Sequence, residues 1–250
     1  FNLNIPLKFN IASATIDKFA NTNRVALKNI KFNGELENLS FRFIQKKSNQ
    51  LANALDNLNL NRNDRVGIIL GQCPETLISH ISCFKSGKIS IPLFNLFGVE
   101  ALKFRLNDSS ASVVICDKYG LEKLKKIKDS LPSLKYIICT DKYDNRKDIL
   151  FFDSLLSKSK DEYKNLNTDS DDPALIIYTS GTTGDPKGAL LSHRTLLGHI
   201  PGVEMPHQFL SSDLSNNDCF WTPADWAWIG GLFDVLLPSL YFGIPVLSHR

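Results

Sequence analysis

Short apolar runs rich in β-branched residues alternate with segments of helical periodicity along most of this chain, and no other feature restricts its fold as much. "RVGIILG" (Arg65 to Gly71), "KISIPL", "SVVICD" (Ser112 to Asp117) and "KYIICT" (Lys135 to Thr140) are short and almost continuously apolar. That is the pattern of parallel strands buried on both faces. Between them lie helical segments. Phe41, Ile44, Leu51, Leu55 and Leu58 share one face behind a cap at Ser40, and Pro74 opens a helix through Ile78 and Ile81 that Gly87 closes. "VEALKFRLND" and Leu121 to Leu131 complete the alternation. Strands joined by crossover helices make an α/β protein of parallel sheets flanked by helices.

Between Lys142 and Pro173 the chain turns polar, with "DKYDNRKD" and "NLNTDSDDP" around the short apolar segment "ILFFDSLL". That composition is expected of a surface connection. The expected organisation is a first α/β subdomain over 1–141, a connecting segment over 142–173, and the start of a second α/β subdomain over 174–250. A formal charge of +3, from 29 Lys and Arg against 26 Asp and Glu, is too balanced for a nucleic-acid footprint. The basic stretch "EKLKKIKD" mixes signs at helical spacing and reads as a solvated helix face.

The five cysteines are widely spaced, mostly in apolar runs and without CxxC spacing, as expected of buried thiols in a reducing cytoplasm. No metal site is assigned to them. The opening "FNLNIPLKFN" lacks the apolar core of a secretory signal, and Phe1 in place of Met points to residues ahead of it. The stretch from Trp228 to Leu247 has nearly the length of a membrane span. Asp234, Pro238 and Pro245 instead predict a buried helix, a turn and a strand. No membrane span is expected.

The most unusual local feature is "YTSGTTGDPKG", Tyr178 to Gly188, directly behind the apolar run Ala174 to Ile177. Glycines let successive backbone N–H groups converge on an anion. Thr179, Ser180, Thr182 and Thr183 add hydroxyl donors, and Lys187 adds a mobile positive charge. The composition favours a phosphate cradle over a ligand-free hairpin turn. A Walker loop needs Gly-Lys followed by Ser or Thr at a helix start; here Lys187 precedes Gly188 and the next residues are "ALLS", which read as a strand. No GxGxxG, GxSxG or HExxH is present.

On these residues the chain resembles the adenylate-forming (AMP-binding) enzymes, whose signature loop "YTSGTTGDPKG" matches. "RVGIILGQCPETLISHISCFKSGKISIPL" and "ALKFRLNDSSASVVICD" resemble that family's first α/β subdomain. "FWTPADWAWIGGLFDVLLPSLYFGIPVL" is similar to the segment of acetyl-CoA and medium-chain acyl-CoA synthetases that carries an Asp and a Trp before a pocket-forming helix. The resemblance covers roughly Leu36 to Arg250. It implies ATP-dependent activation of a short- or medium-chain carboxylic acid as an acyl-adenylate, followed by transfer to coenzyme A, with Mg2+ accompanying ATP.

By match to the motif it implies that Thr179, Ser180, Thr182, Thr183 and Lys187 contact the β- and γ-phosphates, with Gly181, Gly184 and Gly188 making room. It further implies an acyl pocket bounded by Asp225, Trp226, Trp228, Gly230 and Gly231. His193, His199 and His207 receive no catalytic role. The family's magnesium glutamate, ribose aspartate, adenine-stacking aromatic and late adenylation lysine are not found up to Arg250, so the chain is expected to be an N-terminal fragment, inactive alone. Three readings compete: transfer to a carrier protein in place of coenzyme A, a phosphate-binding module without catalysis, and a P-loop kinase, which the order of Lys187 and Gly188 disfavours.

Overall fold

A computed structural model describes residues 3–142, 148–179, 184–210 and 218–249. A π-helical turn, Ser13–Asp17, precedes strands β1 (Val25–Ile30) and β2 (Leu36–Ser40), which pair antiparallel. Helix α1 (Phe41–Asn57) starts where the Ser40 hydroxyl accepts the Phe43 N–H, and it buries Phe41, Ile44, Leu51 and Leu55 as the spacing predicts. Next come β3 (Arg65–Ile69), α2 (Pro74–Ser86), β4 (Ile89–Pro92), α3 (Val99–Asp108), β5 (Val113–Cys116), α4 (Lys118–Ile127) and β6 (Tyr136–Cys139). Pro74 occupies the first turn of α2, and Gly87, at φ 65°, ends it in the left-handed conformation.

Strands β3, β4, β5 and β6 are all parallel, in register Val66↔Ser90, Val66↔Val113 and Val113↔Tyr136. Alternate residues enter two cores. Val66, Ile68, Val113 and Ile115 pack with α1 and α2, whereas Ile69, Val114, Cys116 and Cys139 pack with α3 and α4. This double burial is why the runs are apolar at every position.

The polar stretch holds more structure than its composition indicates. β7 (Ile149–Phe151) adds an edge strand beside β6, and α5 (Phe152–Ser157) buries Phe152 and Leu156. Strand β8 (Pro173–Thr179) then pairs parallel with β4 through Ser90↔Leu175, and β9 (Lys187–Ser192) runs antiparallel to β8. The result is one seven-stranded sheet in the order β7-β6-β5-β3-β4-β8-β9, and it runs through the boundary expected near 173.

Helix α6 (Thr195–Glu204) follows. The last apolar stretch forms a π-helical segment, Gly230–Leu236, then α7 (Leu237–Phe242), a left-handed Gly243 and strand β10 (Val246–His249). Among the described residues no helix is long and apolar enough to cross a membrane. β10 pairs parallel with β1, Leu27 opposite Val246, giving a second, three-stranded sheet.

Two buried lysines from the end of α2 and the start of β4 tie the helical layer together. Lys85 meets Asp17 at 2.5 Å, and Lys88 meets Asp56 at 2.5 Å while Tyr163 donates to the other oxygen of Asp56 at 2.8 Å. Burial lowers the Lys85 ammonium pKa, and the Asp17 carboxylate partly offsets that.

Candidate functional site

The glycine- and threonine-rich segment lies between β8 and β9, whose register sets Thr179 opposite Lys187 and Tyr178 opposite Gly188. Both Thr179 and Lys187 are exposed. Ser180, Gly181, Thr182 and Thr183 lie outside the described residues. Gly184 sits at φ 115° with nothing within 4 Å of a Cβ placed there, so its backbone, and not a steric neighbour, asks for glycine. Gly188 differs. A Cβ there would stand 3.0 Å from Ile176 Cγ2 and 3.2 Å from Tyr178 Cζ, so this glycine makes room for the facing strand's own side chains.

Tyr178 anchors the root of the hairpin. Its hydroxyl donates to Asp108 of α3 at 2.5 Å, and burial, followed by the Asp108 carboxylate, pushes the phenol well above its ordinary range. At the other root, buried His193 accepts the Ile11 N–H on Nδ1 at 3.2 Å, and burial holds its imidazole down at about 4. His193 therefore fastens the N-terminal segment to the end of β9. His199 pairs with Asp234 at 2.8 Å, and His207 donates to the Val203 carbonyl at 2.7 Å.

A cavity of about 1000 Å³ opens at the carboxyl ends of β3, β4, β5 and β6. After β3 the chain moves to β4 on one side, and after β5 it moves to β6 on the other. The crevice outside this reversal is where open α/β sheets leave room for ligands. Asp225 and Trp228 line it; Trp226, Gly230 and Gly231 do not. Trp226 is fully buried in the larger core. Gly231 lies close behind the wall, where a Cβ would come within 2.4 Å of the Asp225 carbonyl and 2.8 Å of that of Ala224. Gly230 has ordinary clearance, with Asp234 Oδ2 at 3.6 Å. Neither Thr179 nor Lys187 lines the cavity.

Asp225 shapes the turn that presents Trp228. One carboxylate oxygen accepts the Ala227 N–H at 2.8 Å, and its carbonyl accepts the Trp228 N–H at 3.0 Å. Burial pushes the carboxyl upward and the Ala227 N–H pulls the other way.

Several residues that line the cavity carried no sequence signal. Gln72, mostly buried, donates to the carbonyls of Thr222 at 3.0 Å and Ala224 at 2.8 Å, and so fastens the wall to the end of β3. Phe94 lies tilted against Trp228 with centroids 5.6 Å apart. Asp117 and Asp141 also line the cavity, but both carboxylates serve the start of α4, accepting from Gly120 N at 2.8 Å and Lys118 N at 2.7 Å.

For magnesium, no group of three or more His, Cys, Asp or Glu side chains that could hold an ion occurs among the described residues. A phosphate-bound magnesium typically takes only one or two protein carboxylates, the rest of its shell being water and phosphate.

A family model described as AMP-binding enzyme matches residues 16–249. Acetyl-coenzyme A synthetase of Halorhodospira halophila is 29% identical over 229 residues, covering 86% of this chain and 35% of that protein. The enzyme of the same description from Bacillus subtilis is 30% identical over 241 residues, covering 93% and 40%. Mitochondrial acyl-coenzyme A synthetase ACSM2 of Rattus norvegicus is 27% identical, covering 98% and 43%. Among solved structures, the anthranilate CoA ligase AuaEII in complex with anthranoyl-AMP superposes with a TM-score of 0.86 at 21% identity, over 98% of this chain and 46% of that one. An acyl-CoA synthetase of Brucella canis gives 0.85 at 23% identity, over 98% and 44%. The likeness to both structures is one of fold, and the chain spans less than half the length of each of these proteins.

Proposed function

Since this chain belongs to the AMP-binding enzyme family, we propose that it supplies the phosphate hairpin and one wall of the acyl pocket of an ATP-dependent acid–thiol ligase. The activity meant is that of the whole protein: a short- or medium-chain carboxylic acid is activated with ATP and transferred to coenzyme A. The names of the relatives, acetyl- and acyl-coenzyme A synthetases, support that substrate class. Buried free thiols at Cys73, Cys83, Cys116 and Cys139 favour a reducing compartment, the cytoplasm.

The chemistry asks for charge neutralisation and alignment more than for a protein nucleophile. A carboxylate oxygen attacks the α-phosphorus, the bond to pyrophosphate breaks, and the thiol sulfur then attacks the acyl carbon and expels AMP. Lys187 and the hydroxyls of Thr179, Ser180, Thr182 and Thr183 hold the β- and γ-phosphates as charge builds on the departing pyrophosphate. Gly181 and Gly184 let the backbone follow them, and Gly188 keeps the hairpin closed. Trp228 and Asp225, with Trp226, Gly230 and Gly231 packed behind them, bound the acyl group.

One observation supports this reading most: the exposed Lys187 stands in register with Thr179 across a hairpin whose Gly184 has a positive φ of 115°. The test is carboxylate-dependent exchange of labelled pyrophosphate into ATP by the protein of the complete reading frame. Lys187→Ala is expected to slow exchange by ~10²-fold or more while the KM for the acid moves less than about threefold. Equal effects on both would make the hairpin structural and overturn the assignment.

A further inference from the structure

The turn from β4 into α3, Phe94 to Phe97, is held from two helices. From α4, the Lys123 ammonium donates to the Asn95 carbonyl at 2.5 Å and to the Phe97 carbonyl at 3.0 Å. From α3, Arg105 lays its guanidinium 4.1 Å from the Phe97 ring centroid and donates to the Ala101 carbonyl at 2.9 Å. The turn closes on itself through Phe97 N–H to the Phe94 carbonyl at 3.0 Å.

On the cavity side both rings of the turn meet Trp228. Phe94 lies 5.6 Å and Phe97 6.1 Å from it, and they lie 5.9 Å from one another, each centroid to centroid. Phe94 and Trp228 line the cavity, whereas Phe97 and Lys123 do not.

The placement of Lys123 is unusual for a helix that otherwise reads as solvated. A surface lysine normally keeps its ammonium in water. Here the head group turns inward onto two backbone carbonyls, and among the described residues no carboxylate forms an ion pair with it. Hydrogen bonds from a charged donor are the stronger kind, and two of them from one point fix the path of a short turn. Edge and tilted contacts among rings then transmit that path to Trp228.

We propose that Lys123 is a positioning residue for the acyl wall: by pinning the Asn95 and Phe97 carbonyls it fixes Phe94 and Phe97 against Trp228, and thereby sets how much apolar tail the cavity admits. The identity of the ligand as a carboxylic acid rests on the ligase reading; the brace itself does not.

Two measurements separate the two ideas. The first uses this chain and acrylamide quenching of Trp228 emission, isolated by subtracting Trp228→Phe counterparts. Lys123→Met keeps the stem and loses both hydrogen bonds, and is expected to raise the quenching slope of Trp228 about twofold, as a ring released toward solvent does. Lys123→Arg keeps the charge and donors and is expected to restore the native slope.

The second uses the protein of the complete reading frame with straight-chain acids of increasing length. Lys123→Met is expected to raise KM for the longest accepted acid by about 10-fold relative to acetate, with kcat within about twofold. An unchanged Trp228 slope in Lys123→Met, or equal losses across all acids, overturns the brace. If Lys123→Met does not fold, Phe97→Leu, which removes the ring between brace and Trp228, decides the matter by the same slope. Absent acyl transfer with a shifted Trp228 slope sinks the ligase reading alone, and transfer with an unmoved slope sinks the brace alone.

Discussion

The hairpin between β8 and β9 and the wall around Trp228 are built on opposite plans. The hairpin is one continuous stretch of chain, exposed along most of β9 and, among the described residues, fastened at its roots by Tyr178 and His193. The wall is assembled from β3, the turn after β4, α4 and the segment 222–228, linked by Gln72, Lys123 and edge or tilted ring contacts. A polyphosphate is recognised by charge and donors, which a local sequence can supply with little packing. An apolar tail is recognised by shape, and shape comes only from parts held at a distance from one another.

The sharpest way to break this contrast is acid, because burial keeps two histidines neutral, His80 of α2 beside Ser90 of β4 and His193 at the root of the hairpin. Burial holds His80 at about 3 and His193 at about 4. Both lie below the unfolded value of about 6.5, so the unfolded chain binds more protons across that window. Their effect on stability is absent above pH 6.5 and grows as pH falls toward the folded values. By pH 4 the loss should reach a few kcal/mol, measurable as falling urea midpoints at pH 7, 5 and 4. Unchanged midpoints would mean that these histidines are not held neutral.

The next largest effect belongs to the wall. Gly231→Ala forces a Cβ against two backbone carbonyls, and should cost about 3 kcal/mol, read as a lower Tm and urea midpoint. Lys187→Ala, exposed on the hairpin, should leave the midpoint within about 0.5 kcal/mol while slowing pyrophosphate exchange by ~10²-fold or more. If the two variants lose stability alike, the contrast fails.

In stability Gly184→Ala should fall between those two. Nothing crowds the new Cβ, so only backbone strain at φ 115° remains, worth about 1–2 kcal/mol, and a local loop should absorb part of it. A cost as large as that of Gly231→Ala would show that the hairpin is braced like the wall.

The same contrast explains what could be seen in the sequence. Strands β3 to β6 were legible because both faces are buried, which leaves a continuous apolar run, and the ends of α1 and α2 were legible through Ser40, Pro74 and Gly87. The hairpin was legible because its chemistry is local. β7 was not, since its three residues sit among polar neighbours and gain their order only by pairing with β6. The π-helical turn at Gly230–Leu236 was hidden too, since helical spacing does not distinguish it. Gln72 and Lys123 were invisible for a deeper reason: each acts on carbonyls far along the chain, and a backbone carbonyl leaves no mark in a sequence.

The pairing of β1 with β10 has a consequence for the order of events during synthesis. Leu27 meets Val246, so β1 must wait for a partner made long after it, once all the strands of the larger sheet have been made. Until then the β1–β2 hairpin leaves the ribosome with one edge unsatisfied, open to any passing strand. The seven-stranded sheet needs no such delay, since its neighbours arrive almost in sequence. The small sheet therefore closes against the entropy of a long intervening loop, and after the strands of the larger sheet have been made.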